Sequence, residues 1–484
     1  MRASTQYFKQ KSTETLHDLK IQENLAGLYP GFHEARIKAS SDTEDWDQLK
    51  ERGRRIKAHT LDHLDYYLEL LEKNVTNAGG VVVFADTAKD ASEYVTKLAK
   101  SRGVKSVVKS KSMLSEEMSL NHHLEIQGIE PIETDLGEYI VQLAGETPYH
   151  IIAPAIHKSS EEVAALFSEK IGTEPTLGIE DLTEVARKQL REKFISADMG
   201  ITGGNFMVAD TGTLALVTNE GNGRMCTSMP RIHVAIVGME KVIPSITDLG
   251  LFLRLLIRSA TGQWISSYVT TVSGPKRSKD IDGPEEFHLV IVDNGRSRIL
   301  ADPVLRESLY CLRCGACLNA CPVYRKVGGH SYGWVYPGPI GAVISPMLTG
   351  LSRGKDLPFA STLCGSCKEA CPVKIDIPKM LLYLRNQLSE GTHYRSERTS
   401  GLLERAISMF CGRLLGNQNA TAKAVKFLGK VLKIFPKRIF PFLQGWTRFR
   451  DLPEIPEQSF IEGWRNSGHV DNVDGGGDGN SEKY

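Results

Sequence analysis

Seven of the nine cysteines in this 484-residue chain fall in two runs of one spacing: Cys311-Leu-Arg-Cys314-Gly-Ala-Cys317-Leu-Asn-Ala-Cys321-Pro322 and Ser361-Thr-Leu-Cys364-Gly-Ser-Cys367-Lys-Glu-Ala-Cys371-Pro372. Two-residue spacers let a short loop curl around a cubane cluster with its amides free to donate to sulfur, and Gly315 suits that close approach. In two-cluster iron–sulfur proteins of this spacing, the fourth cysteine, set one residue further along and followed by proline, ligates the other cluster. Cross-ligation therefore predicts one complete site on Cys311, Cys314, Cys317 and Cys371. A second site, on Cys321, Cys364 and Cys367, holds only three thiolates, because Ser361 stands where a cysteine belongs. The expected cofactors are a [4Fe–4S] cluster at the first site and, at the second, a [4Fe–4S] cluster with an open corner or a [3Fe–4S] cluster. Structural zinc knuckles are the competing reading. Seven cysteines in two copies of one run, both ending Cys-Pro, argue against it.

The two remaining cysteines, Cys226 and Cys411, are isolated. Such usage is no disulfide framework and implies a reducing cytoplasm. Lysine plus arginine (59) nearly equals aspartate plus glutamate (58), so no global field points to nucleic acid. The first twenty residues carry no apolar stretch, and no run approaches the roughly 18 apolar residues of a membrane span.

A chain of this length splits into more than one domain. Residues 1–55 read as a polar N-terminal helical extension packed on the outside of something larger. From Thr60 onward, helical spacing of Leu61, Leu64, Tyr67, Leu68 and Leu71 gives way to a buried strand at 81–84. Alternation then continues with helices near 88–101, 112–126, 159–171, 181–195 and 246–260, and strands at 104–108, 149–152, 213–217, 233–238 and 288–292. That pattern predicts an α/β domain over 56–300. A helical two-cluster domain follows over 301–400. In it, Ile375, Ile377, Met380, Leu381, Leu384 and Leu388 supply an apolar face over the clusters.

Within the α/β domain, polar and glycine residues concentrate in Gly200–Phe206, Asp210–Thr213 and Thr218–Arg224, read as loops bracketing the 214–217 strand. Ligands in α/β sheets sit beyond the carboxyl ends of strands, which makes Glu220 and Arg224 the candidate catalytic residues. Ordinary turns are the alternative, since neither a G-x-G-x-x-G fingerprint nor a phosphate loop is present. His59 and His63 have the i, i+4 spacing of a metal pair but lack an accompanying carboxylate signature, and read as surface histidines.

From Arg405 to Arg450 there is no acidic residue, and basic ones, among them Lys423, Lys426, Lys430, Lys433 and Lys437, interleave with apolar ones. This basic helical C-terminal region, 401–465, suits an anionic membrane surface, touched through 422–450, or an acidic partner; packing on the cluster domain is the alternative. The glycine-rich tail, 466–484, is expected to be disordered.

Taken together, Glu133-Thr-Asp-Leu-Gly-Glu-Tyr-Ile140, Gly203-Gly-Asn-Phe206, Thr218-Asn-Glu-Gly-Asn-Gly-Arg224 and the two cysteine runs give the chain a resemblance, over nearly its full length, to the lactate utilisation protein B family. The resemblance implies a LUD-type N-terminal fold like the sugar-phosphate isomerase and CoA-transferase group. It implies an iron–sulfur electron-transfer subunit of an oxidoreductase system converting L-lactate to pyruvate, with a cysteine-rich subunit and a second LUD protein as partners, in the cytoplasm or peripheral on the inner face of the membrane. It also implies that a three-cysteine second run is the family pattern. Two other readings stay open: an electron carrier for another hydroxy acid such as glycolate, and a CoA-transferase-like enzyme with Glu220 as nucleophile and ancillary clusters.

Overall fold

The computed structural model describes residues 3–174, 178–391 and 401–434, together with residues 460, 463, 464 and 467. Residues 1–399 form one compact unit and residues 400–484 another.

Among the described residues the first unit contains ten strands: β1 (Val81–Ala85), β2 (Ser106–Lys109), β3 (Glu130–Glu133), β4 (Met199–Thr202), β5 (Phe206–Val208), β6 (Thr213–Thr218), β7 (Ile232–Gly238), β8 (Val242–Ile243), β9 (Tyr268–Val272) and β10 (Glu286–Val292). Six of them make an all-parallel sheet in the order β1-β10-β7-β4-β2-β3. Its central strands are covered on both faces, which is why β7 is buried at every position and reads as a continuous apolar run. The other four make a mixed sheet, β8-β5-β6-β9, in which only β5 and β8 run parallel. The α/β reading thus holds, with a second sheet added.

Several local expectations fail for identifiable reasons. Residues 199–202 are the buried strand β4 and not part of a glycine loop; Gly200 is there because a Cβ would lie 1.9 Å from the carbonyl oxygen of Cys226. The predicted 112–126 helix breaks into Met113–Glu117 and Leu120–Ile126 at Ser119, whose φ is 55°. Strand β3 contains Pro131 at the sheet edge, which hid it. Residues 149–152 form no strand. They are a largely buried loop whose Tyr149 fits so closely against the Gly328-Gly329 turn that a Cβ on Gly329 would lie 1.6 Å from the Tyr149 carbonyl oxygen.

That loop joins the α/β region to the cysteine-rich one. The amides of Ile152 and Ala153 donate to His150 Nδ1 (3.0 and 3.2 Å), so Nε2 carries the proton and donates to Asn319 Oδ1 at 2.9 Å. The N-terminal helices Phe8–His17 and Leu19–Ala26 close over the same region. Ser4 N–H donates to Gly333 O (2.7 Å), Gln22 Nε2 to Lys326 O (2.8 Å), and the Phe8 and Tyr332 rings meet edge to face at 5.3 Å. The first part of the 1–55 extension is therefore built against the cysteine-rich region, while its helices Glu34–Ser41 and Trp46–Asp62 pack on helix Ile246–Thr261 of the α/β region. Helix Ile377–Glu390 buries Ile377, Met380, Leu381, Leu384 and Leu388, the apolar face expected from their spacing.

The second unit contains helices Leu402–Leu415 and Gln418–Ile434, which pack on each other and leave Leu402, Leu403, Phe410, Leu415 and Phe427 exposed. The rest of the expected basic segment, 435–450, and the tail, 468–484, lie outside the described residues. Among the described residues no helix is long and apolar enough to cross a membrane.

Candidate iron–sulfur centre

The two cysteine runs fold alike. Arg313 and Leu363, one residue before Cys314 and Cys364, both take positive φ (62° and 55°), and Gly315 and Gly365 follow at 74° and 86°. These left-handed residues turn each loop back on itself before the short helices Ala316–Ala320 and Ser366–Ala370, which pack against one another. Three sulfurs accept backbone N–H groups at 3.4 Å: Cys311 Sγ from Arg313, Cys321 Sγ from Tyr324 and Cys371 Sγ from Ile375. Ser361 Oγ accepts from Leu363 N–H at 3.1 Å, the contact that Cys311 makes in the first run. The serine hydroxyl therefore occupies the place of the missing thiol.

Cys311, Cys314, Cys317 and Cys371 line one cavity with Ile151, Ile340, Ile375 and Ile377. Burial, then the neighbouring thiols Cys311 and Cys371, hold Cys314 far above the ordinary thiol range; burial and the same neighbourhood hold Cys317 well up. Cys371 is pushed up to about 12, mainly by burial. Four converging sulfurs of this kind cannot ionise together without a cationic core among them, and an iron–sulfur cluster supplies one. Cys321, Cys364 and Cys367 act on one another as a second group. Here Cys364 is exposed, and hydrogen bonds from Ser366 and Thr362 lower its pKa, so the second group reaches the surface through that one cysteine while Cys321 and Cys367 are buried; in the first group Cys311 is half-buried and the other three are buried.

Beside the first group lies a charged network that the sequence did not disclose. Arg296 is buried, its Nη1 and Nη2 donate to the two oxygens of Glu117 (3.0 and 2.9 Å), and its Nε donates to Glu240 Oε2 at 2.8 Å. Tyr336 OH donates to Glu117 Oε2 at 2.6 Å, and the Arg313 guanidinium lies 4.3 Å over the Tyr336 ring. Burial alone would raise Glu240; Arg296 and Arg313 outweigh it and hold the carboxylate down to about 2. Lys57, also buried, donates to the carbonyl oxygens of Glu240 and of Val242, the latter at 3.3 Å; Lys241 Nζ reaches the carbonyl oxygen of Cys311 at 3.5 Å. These residues come from six separate segments, and the one signal of them in the sequence is the arginine inside the first cysteine run.

The network forms the inner end of a cleft with a free volume of about 320 Å³ beyond the carboxyl ends of β2, β4 and β7. Lys111, Asp135, Asn219 and Glu220 line its outer part; Glu240, Lys241, Arg296, Arg313 and Tyr336 line its inner part. Glu220 is exposed at the mouth, where its Oε2 accepts from Leu136 N–H at 3.0 Å. Crowding by the surrounding chain and the nearby Asp135 carboxylate push it up to about 7. Arg224 does not join it: its guanidinium lies against β9, 5.1 Å over the Tyr268 ring. Cys226 is buried beneath Thr134 and pushed up to about 12 by that burial, which makes it inert. His59 Nε2 bonds Tyr67 OH at 3.0 Å, and His63 Nδ1 bonds the His59 carbonyl oxygen at 3.0 Å.

Residues 68–292 match the LUD domain family and residues 307–375 match the 4Fe-4S dicluster domain family, which makes the cysteine-rich region an iron–sulfur cluster domain. Relatives named lactate utilization protein B are 44% identical to this chain in Bacillus cytotoxicus and in Macrococcus caseolyticus, each comparison covering 96% of this chain and 98% of the relative. A protein of Bacillus mycoides named lactate utilization protein B 2 is 43% identical over the same shares. With both domains matched and identity sustained from end to end, the chain belongs to the lactate utilisation protein B family.

Proposed function

We propose that this protein is the iron–sulfur electron-transfer subunit of an L-lactate oxidation system. The observation that carries the reading is the pairing of two alike cysteine loops into one enclosed and one surface-exposed thiol group, in a chain whose relatives are named for lactate utilisation. Cys311, Cys314, Cys317 and Cys371 hold a [4Fe–4S] cluster; Cys321, Cys364 and Cys367 hold a second, with the Ser361 corner open and prone to decay to [3Fe–4S]. Bound clusters supply one-electron relay chemistry. The chain's own contribution is to orient the thiols with backbone N–H donors, to exclude water from the first site with Ile151, Ile340, Ile375 and Ile377, and to present the second at the surface, where a partner can dock.

The partners of this reading are a cysteine-rich subunit and a second LUD protein, with the basic C-terminal region as a contact to a partner or an anionic membrane surface. The test is anaerobic purification of the co-expressed subunits followed by EPR after addition of L-lactate. Reduction of the clusters by L-lactate is expected. Reduction by glycolate and not by lactate transfers the role to another hydroxy acid, and no reduction by either refutes it.

A further inference from the structure

Four cationic side chains, Lys57, Lys241, Arg296 and Arg313, surround two carboxylates, Glu117 and Glu240, on the α/β side of the first cysteine loop. Arg296 is satisfied by both carboxylates. Arg313 lies 3.7 Å from Glu240 and leaves its buried Nη1 without a hydrogen-bond partner. Lys57 is buried against backbone carbonyl oxygens, and Lys241 Nζ also lies against a carbonyl, that of the cluster-loop residue Cys311. With both lysines protonated the group carries an excess of two positive units in a place where unpaired charge is costly; burial lowers Lys57 to about 7 and Lys241 to about 8, so a negative neighbour is what would hold them charged.

A cubane held by four thiolates carries a formal double negative charge, and net charge is one of the terms that sets its potential. We propose that Lys57, Lys241 and Arg313 form a cationic bed that counterbalances the cluster held by Cys311, Cys314, Cys317 and Cys371 and raises its reduction potential. The lysines are positioning residues: they act on the cluster through space and contribute no ligand. The bed faces the complete, enclosed site. The second group has one thiolate fewer and an exposed cysteine, so water performs there the screening that the enclosed site lacks. The proposal rests on the ligand assignment above and not on lactate as donor.

The test is an EPR-monitored dithionite titration of the full-length protein purified anaerobically, with iron content measured alongside. Lys241→Met and Lys57→Met are expected each to lower the midpoint of the four-cysteine cluster by about a tenfold change in its one-electron equilibrium, ~59 mV, with the second site unmoved. Lys241→Arg is expected to restore it, and Glu240→Gln, which removes an anion, to shift it upward. Loss of the cluster in Lys241→Met with retention in Lys241→Arg also supports a requirement for charge. An unchanged midpoint in both methionine variants, shifts of the same sign in Lys241→Met and Glu240→Gln, or loss of the cluster in Lys241→Met and Lys241→Arg alike overturns the proposal. Because dithionite is the reductant, a failed lactate experiment leaves this result readable, and the reverse also holds.

Discussion

Ser361→Cys is the substitution whose outcome the geometry specifies most closely. Ser361 Oγ accepts Leu363 N–H at 3.1 Å where Cys311 Sγ accepts Arg313 N–H at 3.4 Å, and the two loops share a positive φ at the donor residue. A sulfur at position 361 therefore lands at the vacant corner without moving the backbone. A protonated hydroxyl is a poor ligand for iron beside thiolates, so on the proposed assignment the native corner is open, and the new thiolate should both complete the site and add one negative charge to it. Two unit charges about 4 Å apart interact by about 1 kcal/mol in water and about 4 kcal/mol at an effective dielectric of 20. Ser361 is half-buried and Cys364 exposed, which places the added charge between those limits, at ~1–3 kcal/mol, or a potential lower by roughly 40–130 mV. The assay is EPR-monitored titration with iron analysis before and after exposure to air. Native protein should lose iron from the second site and give a three-iron signal, whereas Ser361→Cys should retain four irons there. Ser361→Ala should behave as the native protein does. If Ser361→Ala instead abolishes the second cluster as fully as Cys364→Ala, the serine is a ligand and the open-corner reasoning is wrong.

Cys314→Ser is expected to remove the four-cysteine cluster while far-UV circular dichroism stays native, since the sheets end at Val292; full iron content in that variant contradicts the ligand set. Arg296→Met should destabilise the first unit by about 3–5 kcal/mol in urea denaturation, because it strands the buried Glu117 and Glu240 carboxylates without their principal partner; a midpoint equal to native refutes that role. Burial holds His150, His233 and His330 down to about 4, 3 and 4, so between those values and 6.5 the unfolded chain binds more protons than the folded one, and stability should fall as pH drops from 6.5 toward 4. The check is the denaturation midpoint against pH for native protein and His233→Asn; equal slopes in the two refute the contribution of His233.

The cysteine spacing by itself determined the cluster loops. Local geometry around Cys311–Cys321 and Cys364–Cys371 depends on short-range turns, on glycines that tolerate positive φ and on the chemistry of sulfur, all of which are written within a dozen residues. The apolar period through Leu388 and the alternating helix and strand signals were legible for the same reason: each is local. What the sequence could not show is where the buried charges meet. Lys57, Glu117, Glu240, Lys241, Arg296 and Arg313 are ordinary polar residues in their own segments, and only the parallel sheet and the Tyr149–Ile152 loop bring the α/β region against the first cysteine run. Glu220 and Arg224, neighbours in one glycine-rich segment, likewise take their contacts from distant parts of the chain, Leu136 N–H for the one and the Tyr268 ring for the other. Burial and charge compensation arise between distant segments, so they belong to the tertiary structure, and it was the tertiary structure that decided that the inner end of the LUD cleft and the enclosed cluster site share one wall.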